Sequence, residues 1–143
     1  MTDFFKTYPV EEATKSDAIA YVSLLLKLAS VDGIDTKEAE AIKQLISYNG
    51  WEVDVFHEAQ KKMDITIDSL NLSSEFIKVV GPFLIRDLCA IAHISNGFTK
   101  DEDDFINSIR EKIGITSETY TQIKKAVSSQ LDVIENWSKV IAA

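Results

Sequence analysis

The chain is short of most features that announce a function. It has one cysteine, Cys89, in 143 residues. A single thiol cannot close an internal disulfide, and its solitude fits a reducing compartment. It has two histidines, His57 and His93, and neither stands in the HExxH or Glu-x-x-His spacing of helical metal sites. Two prolines and five glycines leave no Pro- or Gly-rich linker and no low-complexity segment. Basic residues are outnumbered, 15 Lys and Arg against 23 Asp and Glu, for a net charge of −8 and a pI near 4.7. Phosphate binding needs clustered Lys and Arg, so this balance argues against nucleic acid and against adsorption to an anionic membrane. No apolar run reaches the roughly 18 residues that would insert in a bilayer. The first residues, MTDFFKTYPVEE, lack the basic stretch and apolar core of a signal peptide. Together these absences predict a cytoplasmic protein. G-x-S-x-G, P-loop, dinucleotide fingerprint and Cys/His pairing are missing too, so no catalytic constellation is visible and the chain reads as no enzyme.

What is present is an internal repeat. Leu24 to Leu45 reads LLLKLASVDGIDTKEAEAIKQL, and Leu88 to Ile109 reads LCAIAHISNGFTKDEDDFINSI. Gly33 and Gly97 are 64 positions apart, as are Leu24 and Leu88, Glu38 and Glu102, Ile42 and Ile106, and Gly50 and Gly114. Few residues are identical, but helix, turn, cap and stop recur in one register.

The chain predicts helices throughout. After a lead-in over Met1 to Tyr8, an apolar helix runs from about Val10 or Ser16 to Val31 and ends at Gly33, where a left-handed turn costs glycine nothing. Asp35 caps the next helix with Glu38 three residues on, a capping box. Ala39, Ile42, Leu45 and Ile46 form its inward stripe, and Asn49-Gly50 stops it. A third helix covers about Glu52 to Met63, with Val55, Phe56 and Ala59 inward. Asp64 to Ser74 reads as a short helix and loop joining the two copies. Ser73 or Ser74 caps a short helix to Val80, Gly81-Pro82 breaks or kinks it, and Pro82 opens a second apolar helix. Gly97 turns the chain, and Thr99 with Glu102 repeats the capping box. Phe105, Ile106, Ile109 and Ile113 face inward until Gly114. A last helix, capped by Thr116 or Ser117, reaches about Ile141 with Tyr120, Ile123, Val127, Leu131, Ile134 and Trp137 on one stripe. The expected architecture is one all-α domain over residues 1–143, seven to eight helices. It is built as two copies of a three-helix unit (about 16–63 and 80–135) packed through their central apolar helices, because each central helix needs cover that one unit cannot supply.

Asp32 sits at a helix C-terminus, facing the negative end of the macrodipole, at a cost of about 0.3–1 kcal/mol. Backbone N–H groups, Lys37 or a bound cation can compensate it. Asp32, Asp35 and Glu38 fall within one turn and cap, and their oxygens would suit Mg²⁺ or Ca²⁺. The plainer reading makes Asp32 an Asx-type turn residue and the other two caps. An EF-hand fails on spacing: Gly33 at loop position 6 puts Leu28, Ser30 and Ala39 where ligands belong, and the second copy puts Ala92, Ile94 and Asp103 there. Asp101, Glu102, Asp103 and Asp104 form an acidic run at a helix start. It is a solvated face favoured by the dipole, or a patch for a basic partner or a cation shared with the first turn. Cys89 and His93 lie in an apolar helix and read as core or helix-end residues, and Trp51 and Trp137 as packing residues.

Taken as a pattern, Ala29-Ser30-Val31-Asp32-Gly33-Ile34-Asp35-Thr36-Lys37-Glu38, repeated as His93-Ile94-Ser95-Asn96-Gly97-Phe98-Thr99-Lys100-Asp101-Glu102, resembles the TerB-like family of tellurite-resistance proteins over roughly residues 16–135. The resemblance implies an all-helical cytoplasmic fold, no established enzymatic activity and a link to tellurite and other chemical stress. It also implies metal-binding acidic residues at the turns: Asp32, Asp35 and Glu38 in the first copy, Glu102 and Asp103 in the second. Asn96 replaces the acidic residue in the second copy, against a symmetric two-site arrangement. Expected partners are proteins, a second copy of the chain included, and the expected cofactor is a divalent metal ion, Ca²⁺ or Mg²⁺, or none. The alternative is a metal-free helical adaptor that docks a partner through an acidic patch or a groove between the copies.

Overall fold

The computed structural model describes residues 14–62, 74–94 and 98–142, with only the backbone described for residues 32, 74–77 and 79. Among the described residues there are six α-helices and no strand. They are α1 (Lys15–Ala29), α2 (Thr36–Tyr48), α3 (Asp54–Gln60), α4 (Ser74–Ile94), α5 (Lys100–Ile113) and α6 (Ser117–Ala142), with a 3-10 turn at Ser30–Asp32. None of the described helices is long and apolar enough to cross a membrane.

The core follows from the two apolar stretches. From Asp17 to Ala29 only Lys27 escapes full burial in α1, and from Leu84 to Ala92 only Arg86 does in α4. Each fully buried Leu or Ile in them contributes about 1.5–3 kcal/mol relative to exposure. The two helices pack on each other. α1 is further covered by α2, α3 and α5, and α4 by α2, α5 and α6. Small residues let α3 approach α1 closely: Ala59 is buried, and the Ser23 hydroxyl donates to the Ile19 carbonyl at 2.7 Å and reaches the Ala59 carbonyl at 3.4 Å.

The local signals work as physical chemistry requires. Thr14 caps α1 by accepting from the Asp17 N–H. Asp35 caps α2 and Thr99 caps α5, each with its glutamate in a complete capping box. α2 and α5 begin at Thr36 and Lys100, keeping the spacing of 64 seen in the sequence. Gly50 and Gly114, at φ 70° and 85°, end these helices. Ile42, Leu45 and Ile46 are buried as their periodicity predicts, as are Ile106 and Ile109, while Ala39, Phe105 and Ile113 are partly buried.

Four expectations need correction. α1 stops at Ala29 rather than Val31, because the chain tightens into the 3-10 turn before Gly33. The third helix is shorter than Glu52–Met63: its first turn has no side-chain cap, and it closes through the Lys62 N–H donating to the Ala59 carbonyl. Gly81-Pro82 does not divide the chain. α4 runs through it, so the short helix to Val80 and the second apolar helix are one element. Proline removes one helical bond and costs about 3 kcal/mol, but Pro82 and Lys78, the residue four before it, lie on the exposed side, where water can replace that bond. Gly81, about 100° round the helix, is buried against Ile113 and Ile115, whose Cδ1 atoms would lie 3.5 and 3.7 Å from a Cβ added there. Finally, Trp137 is exposed instead of continuing the packed stripe of α6. The short helix expected between Asp64 and Ser74, the Gly97 turn and the lead-in over Met1 to Tyr8 lie outside the described residues.

Candidate functional site

The acidic turns come first. At the start of α2 an Asp35 carboxylate oxygen (Oδ1) accepts from the Glu38 N–H at 2.8 Å, and Glu38 Oε1 accepts from the Asp35 N–H at 3.2 Å. Glu38 is buried. At the start of α5, Glu102 Oε1 accepts from the Thr99 N–H and from the Thr99 hydroxyl, both at 3.0 Å, and Glu102 is equally buried. These carboxylates serve the backbone donors that a helix start leaves open. The Asp32 side chain lies outside the described residues.

Asp103 belongs to a different network. Its Oδ1 accepts from the Tyr120 hydroxyl at 2.5 Å and from Lys124 Nζ at 3.2 Å, and its Oδ2 from the Asn107 amide at 3.3 Å. Arg110 Nε then donates to the Asn107 oxygen at 2.6 Å. Lys124 Nζ lies 4.5 Å from the Tyr120 ring centre. Burial raises the Asp103 carboxyl, but the bonds from Tyr120 and Lys124 and the charge of Arg110 outweigh it and hold the group below its ordinary range. The acidic run thus divides. Glu102 and Asp103 are tied into structure, while Asp101 and Asp104 are exposed.

The structure therefore places Asp35 and Glu38 together in one cap, Glu102 in another, and Asp103 against α6. Among the described residues no group of three or more His, Cys, Asp or Glu is arranged to hold a metal ion. Asp35, Glu38, Glu102 and Asp103 do not converge as the several oxygens that Ca²⁺ or Mg²⁺ wants: they bond to their own helix starts or to Tyr120 and Lys124.

Sequence reasoning missed a buried polar cluster in the core. The Tyr21 hydroxyl of α1 donates to Asp87 Oδ2 of α4. Arg86 adds Nε and a second nitrogen to Asp87 Oδ1 at 2.9 and 2.8 Å. Trp51 stands edge-on to Tyr21, ring centres 5.6 Å apart. Asp87 is 1% exposed. Burial pushes its carboxyl upward against the pull of Arg86 and Tyr21, and burial also raises the Tyr21 phenol. The available signal was the Arg86-Asp87 pair inside PFLIRDLCAIAHI, since charges in an apolar run need partners.

The remaining candidates are placed simply. Cys89 is buried, and burial pushes its thiol up to about 12. His93 is half-buried at the end of α4, tilted on Phe98, and burial lowers its basicity. A shallow hollow of about 310 Å³ lies where Thr36, Glu40 and Ala41 of α2 meet Ile94 of α4. A larger cavity of about 470 Å³ opens between α2 and α3. Ile46, Trp51, Val53 and Phe56 wall it, and Lys43 and His57 stand at it, with Lys43 Nζ 5.0 Å from the Phe56 ring centre. Among the described residues no carboxylate lines it. The nearby acids Glu52 and Asp54 instead bind Lys15 at 3.0 and 2.7 Å. No family model, no curated protein and no solved structure matches the chain.

Proposed function

We propose that this chain is a non-enzymatic, cytoplasmic helical module that works by docking a protein partner. Its two acidic turns, with capping boxes 64 residues apart, support a duplicated three-helix unit: α1, α2 and α3 answer to α4, α5 and α6. They also support kinship with the TerB-like tellurite-resistance proteins and, through it, a role in chemical stress. The observation that carries the docking reading is the cavity between α2 and α3. In a chain of net charge −8, it combines four apolar walls with a lysine and a histidine, and among the described residues no carboxylate. Its volume is within the range of about 300–1,000 Å³ typical of binding pockets. It suits an apolar side chain flanked by carboxylates on the partner.

A peptide-display selection tests this. Peptides with an aromatic or aliphatic anchor beside Asp or Glu should be enriched on the wild type and lost on Lys43→Glu and Phe56→Ala. Enrichment of basic peptides, or equal binding to both variants, refutes it. The divalent-cation half of the reading turns on the first acidic turn, because Asp35, Glu38, Glu102 and Asp103 already have bonds of their own. It now rests on Asp32. Thermal melting with EDTA, Ca²⁺ or Mg²⁺ decides between a cation-tuned module and a metal-free adaptor. A rise specific to one cation and abolished by Asp32→Asn supports the first, and superimposable curves support the second.

A further inference from the structure

The last helix has three faces, and one of them has no partner among the described residues. Tyr120 and Val127 are buried, with Ile123, Leu131 and Ile134 partly buried beside them, and this face packs on α4 and α5. At 100° per residue, every charged residue of α6 (Glu118, Lys124, Lys125, Asp132, Glu135 and Lys139) falls on a second arc. The third arc carries no charge over its whole length. Its last turns hold Val133, Trp137, Val140 and Ile141, which are 56%, 62%, 67% and 78% exposed. Positions i, i+4, i+7 and i+8 form one stripe. Singly exposed apolar residues are ordinary, but a contiguous stripe that includes a tryptophan marks an interaction surface.

We propose that this stripe is the interface of a two-fold homodimer, formed by antiparallel pairing of the C-terminal halves of α6. Two arguments favour a second copy over a foreign protein. First, the stripe matches itself. An axis through Trp137 puts Trp137 on Trp137 and Val133 opposite Ile141, with Val140 beside the axis in both copies, which satisfies the self-complementarity of an isologous contact. Second, each copy carries a net charge of −8, so copies repel wherever carboxylates meet. An uncharged arc lets them join without that cost, whereas a partner selected by charge would find nothing there to read. Covering these side chains in both copies hides on the order of 1,000 Å² in total, the lower end of what a specific interface buries. The dimer is therefore weak, with a Kd on the order of 10 µM. It does not depend on the cavity between α2 and α3, which lies on other helices.

Sedimentation equilibrium of the full chain from about 1 to 500 µM tests this range around the expected Kd. The expected result is a monomer–dimer equilibrium. Trp137→Glu and Val140→Glu should each raise Kd by roughly thirty-fold or more. Because both residues are exposed, their circular dichroism and urea midpoints should stay at wild-type values. Added salt should leave the dimer intact or tighten it, since only the net repulsion is screened. A monomer across the range, a dimer that both variants preserve, or a dimer that salt dissociates would each overturn the proposal.

Discussion

Replacing Asp87 by alanine probes the least expected feature of the core. Its carboxylate is 1% exposed, and it accepts from the Tyr21 hydroxyl and twice from Arg86. Asp87→Ala removes the buried acceptor that these two donors share. Breaking a buried pair in this way costs about 3–5 kcal/mol, or roughly 10–20 °C in Tm for a domain of this size. Tyr21→Phe removes one bond to a charged acceptor and should cost about 1.5–3 kcal/mol. The double variant should cost less than the sum, because both changes act on one network. The cluster is expensive to break, yet burying its charges also has a cost, as the upward push on the Asp87 carboxyl indicates. An apolar replacement of all three, Tyr21→Phe with Arg86→Met and Asp87→Leu, should therefore recover to within about 1–2 kcal/mol of wild type. Urea unfolding followed by circular dichroism at pH 7, with unchanged m-values, measures all four. The reasoning fails if Asp87→Ala costs under about 1 kcal/mol, or if the triple variant is less stable than Asp87→Ala alone.

Three further outcomes follow from local geometry. Gly114 sits at φ 85° with open space where a Cβ would stand, so Gly114→Ala should cost only the left-handed backbone term, about 1–2 kcal/mol by urea midpoint. A loss well beyond that would mean the αL conformation is not the reason for the glycine. Asp103 is held below the ordinary aspartate value of 3.8, so its contribution is complete above that pH and is lost as pH falls through the lower, folded-state value. Asp103→Asn should accordingly destabilise by about 1–2 kcal/mol at pH 7 and by progressively less below about pH 4. A gap that stays constant down to pH 2 would contradict the charge-based account. Cys89, buried and with its thiol pushed up to about 12, should ignore a disulfide reagent at pH 8 until denaturant is added. Rapid labelling of the native protein would show that α4 opens.

Much of the fold was readable because its signals are local. A capping box needs only four residues, and Asp35/Glu38 and Thr99/Glu102 both form as read. Gly50 and Gly114 mark helix ends because the chain needs positive φ there. What escaped depends on residues distant in sequence. Pro82 looked like a break, since nothing local shows that its free carbonyl side faces water while Gly81 is packed on Ile113 and Ile115. Asp103 looked like one more surface acid, because Tyr120 and Lys124 arrive from α6. Trp137 shared the helical spacing of Ile134 and Leu131, but periodicity cannot tell where the body beneath a helix ends.

The acidic turns show why a motif and a site are hard to tell apart in sequence. A glutamate in the first turn reads the same whether it caps or chelates, and the magnitudes favour the cap. Releasing a capping side chain costs about 1 kcal/mol. A cation held with millimolar affinity, and present at that concentration, stabilises the folded state by only about 0.4 kcal/mol. A weak site therefore cannot pull Glu38 or Glu102 away from the N–H groups of Asp35 and Thr99. A stronger site could, but it would need several convergent carboxylates to offset both the lost caps and the repulsion among them. Asp35 and Glu38 are committed to one helix start, Glu102 to another and Asp103 to α6. A weakly held cation at these turns is thus expected to leave both capping boxes intact, and melting of Asp32→Asn with and without Ca²⁺ or Mg²⁺ tests the first turn without altering either cap.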